Sequence, residues 1–500
     1  MSEHEVVVVG AGWAGLSAAV HLTEQGLRPM LLDAAPQPGG RARGLTLELA
    51  GLRCHLDNGQ HLIIGAYTET LSLIERVAAG EPAIRRAAMR LDTVDGMRIR
   101  PAASPPPFDL LGGLLRAQGL SRRERWALLR ALAGLRWRGW RVRAGQTVAG
   151  WLAESGQPSS LVDRFWLPLC IATMNTAPED ACAQTFANVL RDSLGASARA
   201  CEFVLPTRSL DEVLPQPACD WLLARGAPLV LRHPVRAARR AAAGGSWLVE
   251  REPAADPAAA GAAARGTLRA RHLILAIPPA NALRVLSAGG HGDSAQRVAR
   301  LGEFDYEPIV TVYLAWPADV RLPAWIMLSE QPAMRYFGQW LFDRGEQHAM
   351  RIGAVVVSAR GRAWLAQADN EARVQTIARQ VSTQLELPMP LDARAIVEKR
   401  ATFRCTPDRP RLRVDALADE LPGLWLAGDH LWPEYPATLE AAVRSGRLAA
   451  SACAAALRAS PVERAAGVNG ATGTTGAAEP GEAINAARPP AAPARPVRSR

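Results

Sequence analysis

The chain has 500 residues, 48% hydrophobic and 21% charged, an ordinary globular composition long enough for a large two-domain enzyme. Its net charge of +10 and pI of about 9.8 favour an anionic partner, but arginine is abundant throughout and supplies almost all of the excess, so charge alone selects no function. Seven scattered cysteines with no CxxC exclude a disulfide framework and a zinc site, and no uncharged apolar run reaches the ~18 residues of a spanning helix. A reducing cytoplasm fits best, with no metal and no signal peptide, because the N-terminus runs almost directly into a strand.

Residues 5–33, "EVVVVGAGWAGLSAAVHLTEQGLRPMLLD", read as a strand, a glycine turn, a helix to about Gln25 and a second apolar strand ending at Asp33. The valine strand is apolar on both faces, as buried parallel strands are. The turn carries GxGxxG. Gly10 permits the tight turn, Gly12 lets the backbone approach a pyrophosphate, and Gly15 lets the helix pack closely on the strand. The helix N-terminus then faces the phosphate charge. Asp33 follows Gly12 by 21 residues, where a carboxylate accepts from ribose hydroxyls. This pattern does not separate NAD from FAD.

Next comes "PGGRARG", residues 38–44. Gly39 and Gly40 permit close backbone approach, and Arg41 and Arg43 reach for a phosphate or the electron-rich end of a flavin; a basic surface loop is the plain alternative. In "LDNGQHLIIGAY", residues 56–67, Asp57, Asn58 and Gly59 suit a turn, and a hydrogen-bonded hairpin would account for Gln60 and His61.

"SPPP" breaks the chain at 104–107. Residues 121–152 then form a long helical region in which Trp126, Leu129, Ala133, Trp137 and Trp140 fall at helical spacing among arginines. It reads equally as an interfacial helix with three inserted indoles or as a buried helix with solvated arginines. Strands are expected at 228–231, 246–251 and 272–277, with a low-complexity insertion at 252–266. "IVTVYLAW", "AWIML", "MRYFGQWLF" and "MRIGAVVVSA" predict a second, antiparallel sheet. "LWLAGDHLWPEYPATLEAAVRSG", residues 424–446, ends a buried strand at Gly428 and Asp429 and starts a helix near Pro436 to Thr438. After about Ser460 the tail lacks large apolar residues and is expected to be disordered.

The dinucleotide fingerprint, acid, GGRxR and AGD followed by a helix together resemble the FAD-dependent amine oxidase and phytoene desaturase superfamily. The resemblance implies an α/β chain of amine-oxidase-like, two-domain flavoprotein architecture. A discontinuous Rossmann-like FAD-binding domain would comprise residues 1–60, 205–290 and 395–458, and a second α+β substrate domain residues 61–204 and 291–394, with 459–500 as the tail. It implies tightly bound, non-covalent FAD. Gly428 and Asp429 would sit at its diphosphate or ribityl chain, and the backbone near Thr438 would point at the isoalloxazine. Val235 in "RHPVRAARR" would meet the adenine through its backbone, with Gly40 and Arg41 beside the cofactor. The 57–61 segment would stand at the isoalloxazine, where Gly59 leaves room for the ring.

A narrower resemblance rests on "LDNGQHLIIGAYTETL", "FWLPLCIATMNTAPEDACAQTFANVLRDSL" and "AGDHLWPEYPATLEAAVRSG". These are similar to the squalene-associated flavoproteins of bacterial hopanoid pathways, the hydroxysqualene dehydroxylases, over roughly residues 5–455. "HLWPEY" is bulkier than the usual pattern, and the alanine-rich insertion and tail are additions. The implied reaction removes the hydroxyl of a C30 isoprenoid alcohol with hydride from N5 of reduced flavin. It needs an acid for the leaving oxygen. His61 is the first candidate, oriented by Asp57 or Asn58, with His430, Glu434 and Tyr435 as rivals. Implied partners are the isoprenoid alcohol, the inner face of the cytoplasmic membrane through peripheral contact, and squalene-pathway synthases, with no nucleic acid. A polyene desaturase, an amine oxidase and a non-catalytic lipid-binding flavoprotein are the competing readings.

Overall fold

The computed structural model describes residues 3–102, 108–241, 245–252, 266–291, 296–359 and 369–459. The expected break at 104–107, most of the alanine-rich insertion and the tail beyond 459 lie outside the described residues.

The first sheet is built around the valine strand Glu3–Val9, which has Met30–Leu32 on one side and the long strand Gly266–Leu275 on the other, both parallel to it. Leu229–Val230 extends the parallel part at one edge. The strand Gly266–Leu275 is shared along its length. Its first half pairs antiparallel with Trp247–Arg251, which pairs in turn with Val235–Arg240, while its last three residues pair parallel with Leu424–Leu426. The sheet therefore gathers strands from three distant stretches of chain. Val6, Val7 and Val8 are fully buried because both faces are covered, which is why this strand reads as an unbroken apolar run.

Helix Trp13–Glu24 buries nine of its twelve residues, so it has almost no polar face. Part of the cover is the closing helix Leu439–Ala459. A Cβ on Gly446 would come within 2.1 Å of the Ala14 carbonyl oxygen, and Ser17 Oγ donates to the Val443 carbonyl at 2.8 Å. The small residues Ala441, Ser445, Ala449 and Ala450 of "EAAVRSGRLAAS" are buried, and they let the two helices approach this closely.

The second sheet is antiparallel, in the order Trp325–Met327, Trp340–Gln347, Met350–Val357, Tyr306–Pro317 and Asp392–Phe403. Alternation along Tyr306–Pro317 sends Val310, Val312, Leu314 and Trp316 into a core with Ile377 and Val381 of helix Asn370–Leu385. Tyr313 and Ala315 face the other way, against Leu49, Cys54 and Leu56 of the hairpin Gly44–Leu49 and Leu52–Asp57. One strand thus joins two cores.

Several elements differ from expectation. Strand Asp392–Phe403 has no clean apolar alternation and was not expected; it belongs to the second sheet and runs across the boundary expected at 394/395. "MRYFGQWLF" is extended only from Trp340, because Arg335 takes the left-handed conformation at φ 61° and turns the chain. The region 121–152 splits into helix Arg122–Trp137, capped by Ser121 and Glu124 in a reciprocal box, and helix Val148–Glu154. Between them Trp140 adopts φ 62° and packs inward against the protein core, so it does not join Trp126 and Trp137 on the outside.

Candidate active site

The loop after strand Glu3–Val9 is fixed by Gly10, whose N–H donates to the Leu32 carbonyl at 2.7 Å. Gly10 has φ +108°, and a Cβ there would lie 2.3 Å from the Ala276 carbonyl oxygen. A Cβ on Gly15 would lie 1.8 Å from the Gly10 carbonyl oxygen. Both glycines are demanded by the chain itself. Gly12 is different: a Cβ there meets nothing closer than Gly40 Cα at 3.8 Å, at an unstrained φ of −76°. The protein leaves room at Gly12 that it does not use. Gly12 is also the N-cap of helix Trp13–Glu24, and no side chain caps that helix. Its first N–H groups are therefore free to meet an anion.

The GG loop forms the opposite wall. Gly39 N–H donates to the Ala11 carbonyl at 2.8 Å, and a Cβ on Gly40 would press to 3.2 Å on Gly12 Cα. Asp33 accepts N–H bonds from Ala11 at 2.5 Å and Ala35 at 2.7 Å, which leaves lone pairs on both oxygens. Burial raises its pKa despite those bonds. The His233 N–H donates to the Asp33 carbonyl at 2.9 Å, which brings the start of strand Val235–Arg240, and with it half-buried Val235, to the same edge.

A second wall comes from the far end of the chain. Arg41 Nη2 lies 2.7 Å from Asp429, and Arg41 Nη1 donates to the Ala401 carbonyl at 2.7 Å. The GGRxR loop and the AGD strand end, 388 residues apart, thus meet as an ion pair. Burial opposes ionisation of Asp429, but Arg41 and the His430 contacts outweigh it and hold the carboxyl well below the usual range. A Cβ on Gly428, at φ +156°, would lie 2.4 Å from the His430 ring. Thr438 Oγ1 accepts the Ala441 N–H at 3.1 Å and so caps helix Leu439–Ala459, which sets that helix's N-terminus near Asp429 in the chain as expected.

The 57–61 segment crosses from the first core to the second sheet. Two expectations fail here. Asp57 does not orient His61; its carboxylate pairs with Arg344 at 2.8 Å and accepts the Leu210 N–H at 2.7 Å, because it is 1% exposed and needs a counter-charge. Asn58 does not orient it either; its backbone and side chain both bond the backbone of Arg43. What holds the segment is the odd face of strand Tyr306–Pro317. Tyr313 Oη donates to the Asp57 carbonyl at 2.9 Å, and Thr311 Oγ1 accepts the Gln60 N–H at 3.2 Å. His61 Nδ1 sits 3.1 Å from the Gly59 carbonyl. Burial first, then Arg344 and Arg41, push its pKa down to about 4. The imidazolium expected near pH 7 is therefore not favoured, a correction to its reading as the neutral-pH acid. Gly59 resembles Gly12: a Cβ there would meet only ordinary contacts, at 3.7 Å to His61 and 3.8 Å to Thr311.

The rivals are also placed. Tyr435 Oη donates to Asp192 at 2.7 Å, and burial followed by that bond raises its pKa, so its proton is already committed. Glu434 is exposed, and His430 is buried edge-on to Phe304. The "HLWPEY" turn is pinned through its backbone: Asn188 donates to the Glu434 carbonyl at 2.9 Å and Arg409 to the Pro433 carbonyl at 2.8 Å. Arg344, Thr311, Tyr313, Asn188 and Arg409 were all missed from sequence. Only Arg344 left a signal, as part of the "DRGE" charges inside an otherwise apolar strand. Buried Glu440, also missed, accepts from the backbone of Glu69 and Thr70 and caps helix Thr68–Val77 from outside.

The unused room at Gly12 and Gly59, the free helix N-terminus, and the acids Asp33 and Asp429 fit an FAD. A curated protein of Sinorhizobium fredii named hydroxysqualene dehydroxylase is 28% identical over 89% of this chain and 97% of its own length. One of the same name from Rhodopseudomonas palustris is 26% identical over 91% and 99%. A solved structure of wild-type putrescine oxidase bound to putrescine superposes over 91% of this chain and 99% of its own, with a TM-score of 0.64 at 15% identity, which shows a shared fold. The model of the family "flavin containing amine oxidoreductase" matches residues 13–454; this chain is an FAD-dependent oxidoreductase and belongs to that family.

Proposed function

We propose that the protein converts hydroxysqualene to squalene by FAD-dependent reductive dehydroxylation. The observation that carries this reading is the near-full-length alignment with relatives that bear that name. The net change replaces a carbon–oxygen bond by a carbon–hydrogen bond and releases water, consuming one proton and one hydride, and FAD when bound and reduced supplies the hydride. The protein's own residues bind and orient. Gly10, Gly12, Gly15, Asp33, Gly40 and Val235 serve the dinucleotide end. Arg41, Gly428, Asp429 and the helix start at Thr438 serve the middle, and Gly59 leaves room at the reacting end.

His61 is given a revised task. With the Nδ1 proton donated to the Gly59 carbonyl, Nε2 keeps its lone pair at neutral pH and accepts a hydrogen bond from the substrate hydroxyl. It holds the oxygen in place. It becomes the proton donor only where an added negative charge offsets Arg41 and Arg344. Asp57 acts through position, by fixing the segment on Arg344.

The substrate is a C30 isoprenoid alcohol and the product a C30 hydrocarbon, both lipid-soluble, so peripheral contact with the inner face of the cytoplasmic membrane and with squalene-pathway synthases completes the reading. No described helix is long and apolar enough to cross a membrane. The test is His61→Ala. Flavin absorbance should remain, and squalene formation should fall about 10²-fold. Wild-type turnover would remove His61 from the site. A desaturated or deaminated product in place of squalene would overturn the reaction.

A further inference from the structure

Helix Arg122–Trp137 is two-sided. Its inner face, Ala127, Leu128, Ala131 and Leu135, is buried. Its outer face carries two indoles that pack on little: Trp126 is 70% exposed and Trp137 is 92% exposed. They are 11 residues apart, which at 3.6 residues per turn puts them roughly 20° apart around the axis and about 16 Å apart along it. Arg122, Arg123, Leu129, Arg130 and Ala133 fall within roughly 60° of the same line. The helix's single acid, Glu124, is turned inward, where it accepts from the Ser121 N–H and the Ser160 hydroxyl. Among the described residues, Arg122, Arg123, Arg138 and Arg141 make no ion pair. A groove of about 660 Å³ runs beside this face, lined by Arg123, Trp126, Leu129, Arg130, Ala133 and Pro158.

The geometry points to this face as a docking surface for an anionic phospholipid bilayer, with the helix axis lying parallel to the membrane plane. Two indoles on one line enter the headgroup boundary together only in that orientation. Unpaired guanidiniums beside them complement lipid phosphates, and the groove is lined by apolar side chains together with Arg123 and Arg130. A second copy of the chain is the poorer occupant, since it would bring an equally positive face. The surface rests on the C30-substrate reading only for its purpose: a bilayer is where such a substrate and product dissolve. The binding itself is measured separately.

The experiment is sedimentation of purified holoprotein with phosphatidylcholine vesicles, with and without phosphatidylglycerol. Binding should require phosphatidylglycerol and should weaken only in part at high salt. Trp126→Ala and Trp137→Ala should each lower affinity on the order of ten-fold, and Arg123→Gln or Arg130→Gln roughly five-fold. All four positions are at the surface, so flavin content and thermal midpoint should stay at wild-type values, which separates lost docking from lost folding. Equal binding to neutral vesicles, or tryptophan variants that bind as wild type, would overturn the proposal. So would a concentration-dependent dimer abolished by Trp137→Ala, or binding to single-stranded DNA in place of vesicles. Vesicle binding without dehydroxylation would sink the substrate reading and leave the surface standing.

Discussion

The dinucleotide cradle and the 57–61 segment use glycine and charge in opposite ways. The cradle is closed largely by neighbours in sequence: Gly10 bonds Leu32, Gly39 bonds Ala11, and Asp33 bonds Ala11 and Ala35. The crossing segment is closed by Leu210, Thr311, Tyr313 and Arg344, which lie 153 to 287 residues away. In the cradle, a strained backbone and short contacts define the shape. In the segment, one buried ion pair and one face of a distant strand do. Each region also contains one glycine whose missing side chain the protein does not need, Gly12 and Gly59. Those two are where we propose that the cofactor is accommodated.

The largest effect should come from separating the two kinds of glycine. Gly15→Ala puts a methyl group into the Gly10 carbonyl and should cost on the order of 3 kcal/mol or more, giving insoluble or unfolded protein. Gly12→Leu should fold with a near-normal thermal midpoint and purify without flavin. A yellow Gly12→Leu protein would end the distinction.

Next, Arg344→Met leaves Asp57 buried without its counter-charge and should cost about 3–5 kcal/mol, read as a fall in the denaturation midpoint. Adding Asp57→Asn should restore much of it. If the double variant is no more stable than the single, the pair is not what holds the segment.

The third effect is a pH dependence. The folded-state pKa of His61 is about 4, depressed from an ordinary 6.5. Between those values the unfolded chain binds more protons, so stability rises with pH, is full above 6.5 and is lost as pH falls toward 4. The contribution is about 3 kcal/mol at most. His272, pushed to about 4 chiefly by burial, acts in the same direction. Unfolding titrations of His61→Gln should therefore show a shallower acid limb than wild type, and the His61→Gln, His272→Gln double variant a shallower one still. An unchanged limb in His61→Gln would mean the residue is not held neutral.

The smallest effect is Tyr435→Phe. It removes one hydrogen bond to an Asp192 that Arg191 still pairs with, and should cost about 1 kcal/mol with little change in turnover. A large loss of rate would return Tyr435 to the chemistry.

The difference between the regions also explains what was legible in advance. GxGxxG, Asp33 and GGR form a local motif whose spacing carries its geometry, and the AGD end could be joined to it through family resemblance. The Arg41–Asp429 pair itself joins a loop to the end of a strand in the first sheet, and the partners of Asp57 come from the second sheet and from Leu210, at separations that local spacing does not encode. His61 was found by its position in a motif, but its protonation was not, because Arg344 approaches from the second sheet. The outward turn of Trp126 and Trp137 and the inward turn of Trp140 follow from where the helix ends, which spacing alone did not fix.

In the proposed reaction this cradle and segment serve the reduction of an allylic alcohol. The direct measurement is anaerobic mixing of chemically reduced holoprotein with hydroxysqualene, following flavin absorbance and extracted hydrocarbon together. One squalene should appear for each flavin reoxidised. Flavin that stays reduced while hydroxysqualene is recovered unchanged would rule out dehydroxylation by this protein.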